Sequence, residues 1–91
     1  MKTVRIVVTG RVTGVGFRFS AVNQARQHGN LRGWVRNRDA RTVEAMVQGS
    51  EDTVDAMIEW FRRGPPGARV RQCHVETIES SEKLDWFQVV Y

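Results

Sequence analysis

A β-branched run, Thr3-Val4-Arg5-Ile6-Val7-Val8-Thr9, leads directly into Gly10-Arg11-Val12-Thr13-Gly14-Val15-Gly16-Phe17-Arg18, and that stretch leads into a segment with helical spacing. This junction of strand, glycine loop and helix restricts the fold more than any other feature of the chain. Val4, Ile6 and Val8 alternate onto one face of the strand. Glycines at 10, 14 and 16 permit a tight turn with positive φ, which a Cβ would oppose. They also let main-chain N–H groups converge, and amides gathered at a helix N-terminus suit an anion. Arg18 adds a planar, permanently charged fork matched to phosphate. On spacing alone two readings stand level: a phosphate cradle, or a glycine-rich turn beside a surface arginine.

The remaining elements set where that loop lies. From Phe17 to His28 the residues read as a helix, with Phe17, Ala21 and Ala25 forming a narrow apolar seam and Gly29 placed as a C-cap. Leu31 to Asn37 reads as a second strand and Asn37-Arg38-Asp39-Ala40-Arg41 as a polar turn. A third strand follows from Thr42 to Gln48, where Val43, Ala45 and Val47 alternate with Glu44, Met46 and Gln48, so the two strands form a hairpin. Ser50 is a good N-cap, and Glu51 and Asp52 suit the positive end of a helix. Val54, Met57, Ile58 and Phe61 then fall at i, i+3, i+4 and i+7, the cleanest amphipathic pattern in the chain, and Gly64-Pro65-Pro66 stops it. A fourth strand is predicted from about Ala68 to Glu79, a polar loop from Ser80 to Asp85, and a final strand over Trp86–Tyr91.

The order β-α-β-β-α-β-β predicts an α+β fold, the ferredoxin-like split βαβ sandwich with a short added strand. One antiparallel sheet would carry both helices on a single face. A helical crossover joins the first and second strands, so they run in the same direction. The glycine loop and the hairpin therefore emerge at the same end of the sheet, and Asn37 can meet the loop there.

With 91 residues, the chain is expected to form one domain over 1–91. Its 41% hydrophobic and 26% charged content is ordinary for a soluble globular protein. No apolar run approaches the ~20 residues of a membrane span, and charge within Met1-Lys2-Thr3-Val4-Arg5 argues against a signal peptide. The single cysteine, Cys73, excludes an intramolecular disulfide and fits a reducing cytoplasm, the expected location. The net charge of +4 comes from twelve arginines against two lysines, which favours an anionic partner as readily as it fits a compositional bias.

Asn37 carries both donors and an acceptor, enough to orient a water also held by a substrate. Its bland reading is a residue that tolerates turn geometry, and its place opposite the loop favours the functional one. The other usual participants are poorly placed. His28 lies at a helix end, His74 lies in a distant strand, and Cys73 and His74 point to opposite faces. No His, Cys and carboxylate group has zinc spacing, and no metal or other cofactor is expected. Asp39 and Asp52 read as turn and helix-start residues. Trp34, Trp60 and Trp86 read as core or half-buried packing.

The lack of a general acid or base narrows the chemistry. Most phosphate esters must expel a poor leaving group, whereas a mixed carboxylic–phosphoric anhydride expels a carboxylate whose conjugate acid has a pKa of about 4. Such a reaction needs charge stabilisation and a positioned water, which amides, one Arg and one Asn can supply.

Gly10-Arg11-Val12-Thr13-Gly14-Val15-Gly16-Phe17-Arg18, then Gly33-Trp34-Val35-Arg36-Asn37, then Thr42-Val43-Glu44 with Gly49, together resemble the acylphosphatases. Gly64-Pro65-Pro66-Gly67-Ala68 and Phe87-Gln88-Val89 add to the likeness, which spans nearly the whole chain in order. The resemblance implies a metal-independent hydrolase, expected as a cytoplasmic monomer, that cleaves small acyl phosphates to a carboxylate and inorganic phosphate. It implies that Arg18 binds phosphate beside the amides of Thr13, Gly14, Val15, Gly16 and Phe17, and that Asn37 holds the attacking water. Two positions depart from the family pattern. Thr13 stands where Gln is usual. Ala40-Arg41 stands where Asp-Gly is common, which removes an easy positive-φ residue from the turn and is expected to reshape it.

Two rival readings belong to other classes. A basic ferredoxin-like module could bind nucleic acid, but an RNA-reading sheet stacks bases on aromatics of its central strands, and the first and third strands carry none. A phosphate-binding member of the same family without turnover is the other.

Overall fold

The computed structural model describes residues 1–79 and 82–91. In chain order the elements are β1 (Lys2–Arg11), α1 (Phe17–His28), β2 (Arg32–Asp39), β3 (Thr42–Gly49), α2 (Glu51–Arg63), β4 (Arg69–Thr77) and β5 (Gln88–Val89). The strands form one sheet in the order β4-β1-β3-β2-β5. Neighbours among β1 to β4 run antiparallel, as expected of this topology, and β5 adds a short parallel pairing to β2. The sheet is therefore mixed at that edge. The fifth strand covers two residues of the predicted Trp86–Tyr91. Of the predicted polar loop, Ser80 and Ser81 lie outside the described residues and 82–85 are irregular.

The helix-facing side of the sheet is built by the alternation read in the sequence. Val4, Ile6 and Val8 of β1 stand opposite Val47, Ala45 and Val43 of β3. All six are fully buried, in one cluster with Val35, Phe17, Ala21, Ala25, Val54, Met57 and Phe61. Both helices thus pack on one face. The alanine seam of α1 lets its backbone approach the sheet, while α2 presents the larger side chains. Ser50 caps α2 by accepting the Thr53 N–H at 3.4 Å, and the Gly64 N–H closes its other end on the Trp60 carbonyl at 2.7 Å. No described helix is long and apolar enough to cross a membrane.

The opposite face is polar but not open throughout. Gln48 is fully buried there. Its amide donates to Thr3 Oγ1 and to the Glu82 carbonyl, and its carbonyl accepts the Leu84 N–H. These bonds hold the segment that leads towards β5 across the sheet. The three tryptophans divide: Trp60 is buried, Trp34 is half-buried, and Trp86 is 58% exposed with the Arg32 guanidinium 3.8 Å above its ring. Trp86 therefore departs from the packing role expected of it, since more than half of it stays exposed beside Arg32.

Glu44 sits in the middle of this face with its side chain 4% exposed. Arg36 directs Nη2 and Nε onto Oε1 at 2.7 and 2.9 Å, and Arg5 pairs with Oε2. Burial pushes the carboxyl pKa up, but the hydrogen bonds and charges of Arg36 and Arg5 outweigh burial and hold it below its ordinary value. The stabilisation is therefore present above the ordinary carboxylate range and is lost as pH falls through the lowered pKa. Both arginines are themselves partly exposed and can be rehydrated. Glu44→Gln is thus expected to cost about 1–2 kcal/mol at pH 7. Urea unfolding of both proteins from pH 7 down to pH 3 checks this: the gap should close on acidification, and a gap independent of pH would refute the ionic origin.

Candidate active site

At the end of the sheet where β1 and β2 finish, residues 12–16 form the link to α1. Gly14 and Gly16 take φ of 72° and 73°, the left-handed conformations that the spacing required. Gly16 is the N-cap of α1, whose first turn has neither a side-chain cap nor an acidic residue. The first intrahelical bond runs from the Ser20 N–H to the Gly16 carbonyl at 2.9 Å. The amides ahead of it keep their donors without an intrahelical acceptor, at the positive end of the helix dipole.

Both ends of the loop are anchored in the core. Val12 is fully buried and Phe17 nearly so. The Phe17 ring lies 5.3 Å from Trp60 and 5.7 Å from Phe61, centroid to centroid. Val15 packs partly buried against the same cluster.

Thr13, Gly14, Gly16, Phe17 and Arg18 from the loop and Asn37 from β2 line one depression of about 190 Å³. Of the residues singled out in the sequence, Val15 alone does not line it, because its side chain faces the core. Neither Arg18 nor Asn37 makes a side-chain hydrogen bond or ion pair among the described residues. The guanidinium fork and both ends of the amide are thus available to a ligand. Val12, Phe19, Val89 and Tyr91 complete the lining, and the sequence had given none of them a role at the site. Val89 pairs with Val35, the Val90 N–H donates to the Val35 carbonyl at 3.0 Å, and the Tyr91 ring centroid lies 5.3 Å from the Arg18 guanidinium carbon. The parallel pairing of β5 brings Val89 and Tyr91 there, whereas Phe19 follows Arg18 in α1.

The hairpin carries an irregularity in its register. Asn37 stands opposite Val43 and Asp39 opposite Thr42, so Arg38 is an extra residue that bulges from β2. Among the described residues none other than glycine takes positive φ, and Ala40-Arg41 therefore closes the turn in an unprimed form. Asp39 Oδ1 accepts the Arg41 N–H at 2.9 Å. That bond first, and the Thr42 hydroxyl second, hold the exposed Asp39 carboxyl below its ordinary pKa. Two contacts tie this turn to the glycine loop. The Thr13 hydroxyl donates to the Ala40 carbonyl at 2.5 Å, and the Gly10 N–H donates to the Arg41 carbonyl at 3.1 Å.

Thr13→Val keeps the β-branched shape and removes the hydroxyl. It is expected to lose about 0.5–1 kcal/mol of stability, while Thr13→Ser retains most of it. Equal stability of all three proteins in urea would show that the bond contributes nothing.

Comparison with known proteins bears on the whole chain. A sequence model of the acylphosphatase family matches residues 4–89. An acylphosphatase of Bordetella avium is 51% identical over 87 residues, covering 96% of this chain and 92% of its own. One from Thermococcus kodakarensis is 47% identical over 92 residues, covering 99% of each. Among solved structures, the crystal structure of acylphosphatase from Bacillus subtilis superposes with a TM-score of 0.92 at 37% identity over 100% of both chains. The match therefore extends from the order of the strands to the loop and the hairpin, and the chain belongs to the acylphosphatase family.

Proposed function

We propose that this chain hydrolyses acyl phosphates to a carboxylate and inorganic phosphate, with binding and water positioning divided between the loop and β2. The observation that carries the reading is the single depression in which Arg18, the glycine loop and Asn37 converge. The phosphate oxygens accept from the amides of Thr13 to Phe17 at the helix N-terminus, where the dipole favours negative charge. Arg18 adds two parallel, charge-assisted donors. The Asn37 amide orients a water by accepting from it through Oδ1 or donating to it through Nδ2.

Attack by that water on phosphorus, in line with the bridging oxygen, breaks the P–O bond to the acyl group. Charge develops on the equatorial oxygens, where the amides and Arg18 already point. The departing carboxylate is a weak base with a conjugate acid of pKa about 4 and leaves without a proton. The arrangement thus matches an anhydride, and among the described residues that line the depression there is no histidine, aspartate or glutamate side chain to protonate an alkoxide. We place the substrate as a small acyl phosphate, turned over without a metal ion by one copy of the chain.

Phosphate release from acetyl phosphate and benzoyl phosphate tests the reading. Activity should be unchanged by chelators, and a metal requirement would overturn the mechanism. Arg18→Ala and Asn37→Ala should each lose roughly 10²-fold or more in rate, the scale of removing one preorganised stabilising donor. Their unfolding midpoints should barely move, because neither side chain has a hydrogen bond or ion pair among the described residues and the Tyr91 ring that Arg18 meets is exposed. Near-full turnover in either variant would refute the role given to that residue.

A further inference from the structure

On the far side of Thr13 from the cradle lies a second depression, of about 390 Å³, whose rim carries Arg11, Arg41, Arg69 and Arg71. We propose that it is an anion subsite for the charged end of an acyl phosphate whose acyl group bears a second phosphate or a carboxylate. The proposal rests on the reading of the glycine loop as the phosphate cradle and names the substrate class that the site favours.

Three segments bring the four arginines to one depression. Arg11 and Arg69 are direct register partners across β1 and β4. The register then shifts by one, from Gly10 opposite Val70 to Thr9 opposite Gln72, so Arg71 is an extra residue bulged out of β4. Gly10 permits this approach, since a Cβ there would lie 2.2 Å from the Arg69 carbonyl oxygen. Its N–H holds the Arg41 carbonyl and so sets the hairpin arginine beside the other three.

Like charges placed opposite one another in a sheet are destabilising, and this fold leaves them uncompensated. None of the four side chains has a hydrogen bond or an ion pair among the described residues, whereas Arg5, Arg32 and Arg36 each engage a carboxylate or a carbonyl. Asp39, the carboxylate of the adjoining hairpin, is occupied by the Arg41 amide and Thr42. Guanidinium forks match phosphate and carboxylate alike. Thr13 lines both depressions, so a molecule charged at both ends can seat its acyl phosphate in the cradle and its other anion among the arginines. A diffuse attractive field would speed capture of any anion; a subsite distinguishes one acyl group from another.

Two experiments on the full chain test this. In the first, kcat/KM is measured at about 0.15 M salt, where the screening length is about 8 Å. The substrates are acetyl phosphate, whose acyl group is uncharged, and succinyl phosphate, which ends in a carboxylate. The double variant Arg69→Ser/Arg71→Ser should lose about tenfold or more on succinyl phosphate, through KM. On acetyl phosphate it should stay within about twofold of the parent. Equal losses on both, or no loss, would overturn the subsite.

In the second, backbone amide shifts are followed as inorganic phosphate is added, against chloride at equal ionic strength. The expected result is two responding groups: the amides of 13–17, and those of Gly10, Arg41, Val70 and Arg71. The second group should persist in Arg18→Ala and vanish in the double variant. A response confined to 13–17 refutes the subsite and leaves the cradle standing; a response confined to the second group refutes the cradle.

Discussion

The burial of Phe17 against Trp60 and Phe61 is the contact on which the site end of this molecule depends. A phenylalanine removed from water contributes about 1.5–3 kcal/mol, and this one sits at the first residue of α1, directly after the loop. The same ring therefore docks α1 on α2 and fixes where the helix N-terminus points. Gly64 leaves the room: a Cβ at that position would lie 2.8 Å from Cε2 of Phe17. With Val12 buried at the other end, four residues of loop are stretched between two core anchors. A segment pinned in this way can hold unpaired amides in one arrangement before any ligand arrives.

Hydrogen bonds, not apolar packing, hold the hairpin beside that loop. Ala40-Arg41 supplies no residue suited to positive φ, and the turn combines a bulge at Arg38 with an Asp39 side chain that accepts the Arg41 amide. Thr13 and Gly10 then fasten the turn to the loop from opposite ends. Thr13 and Ala40, set apart in the sequence by 27 positions, contact each other through the Thr13 hydroxyl and the Ala40 carbonyl. An account of either position alone would miss that they form one contact.

The polar face plays a supporting part. The buried Glu44 is paired by arginines from β1 and β2, so one carboxylate ties together three adjacent strands. Gln48 binds the crossing segment that delivers β5 to the far edge. Through β5 the face also reaches the site, because Val89 and Tyr91 become part of the lining beside Arg18. The central strands β1 and β3 place Arg5, Val7, Glu44 and Met46 on this face, with Trp34 of β2 beside Met46.

Much of this was legible in the chain itself, for physical reasons. Period-two alternation of Val43, Ala45 and Val47 and the i, i+3, i+4 spacing of Val54, Met57, Ile58 and Phe61 are imposed by one-sided burial, so they can be read without coordinates. Helix α1 begins and ends at the residues expected, because glycines mark both limits. The order of the elements then implied a split βαβ fold with the first and second strands running in the same direction, and with it the meeting of Asn37 and the loop. What local sequence could not carry is pairing between distant segments. The parallel docking of β5, the Thr13–Ala40 bond and the bulges at Arg38 and Arg71 each arise from two stretches whose residues look unremarkable apart. The amino-acid sequence alone determined the elements, their faces and the loop able to receive an anion. Only the tertiary structure decided which side chains surround that loop, because those contacts depend on register and on where a bulge is placed, and neither leaves a periodic trace.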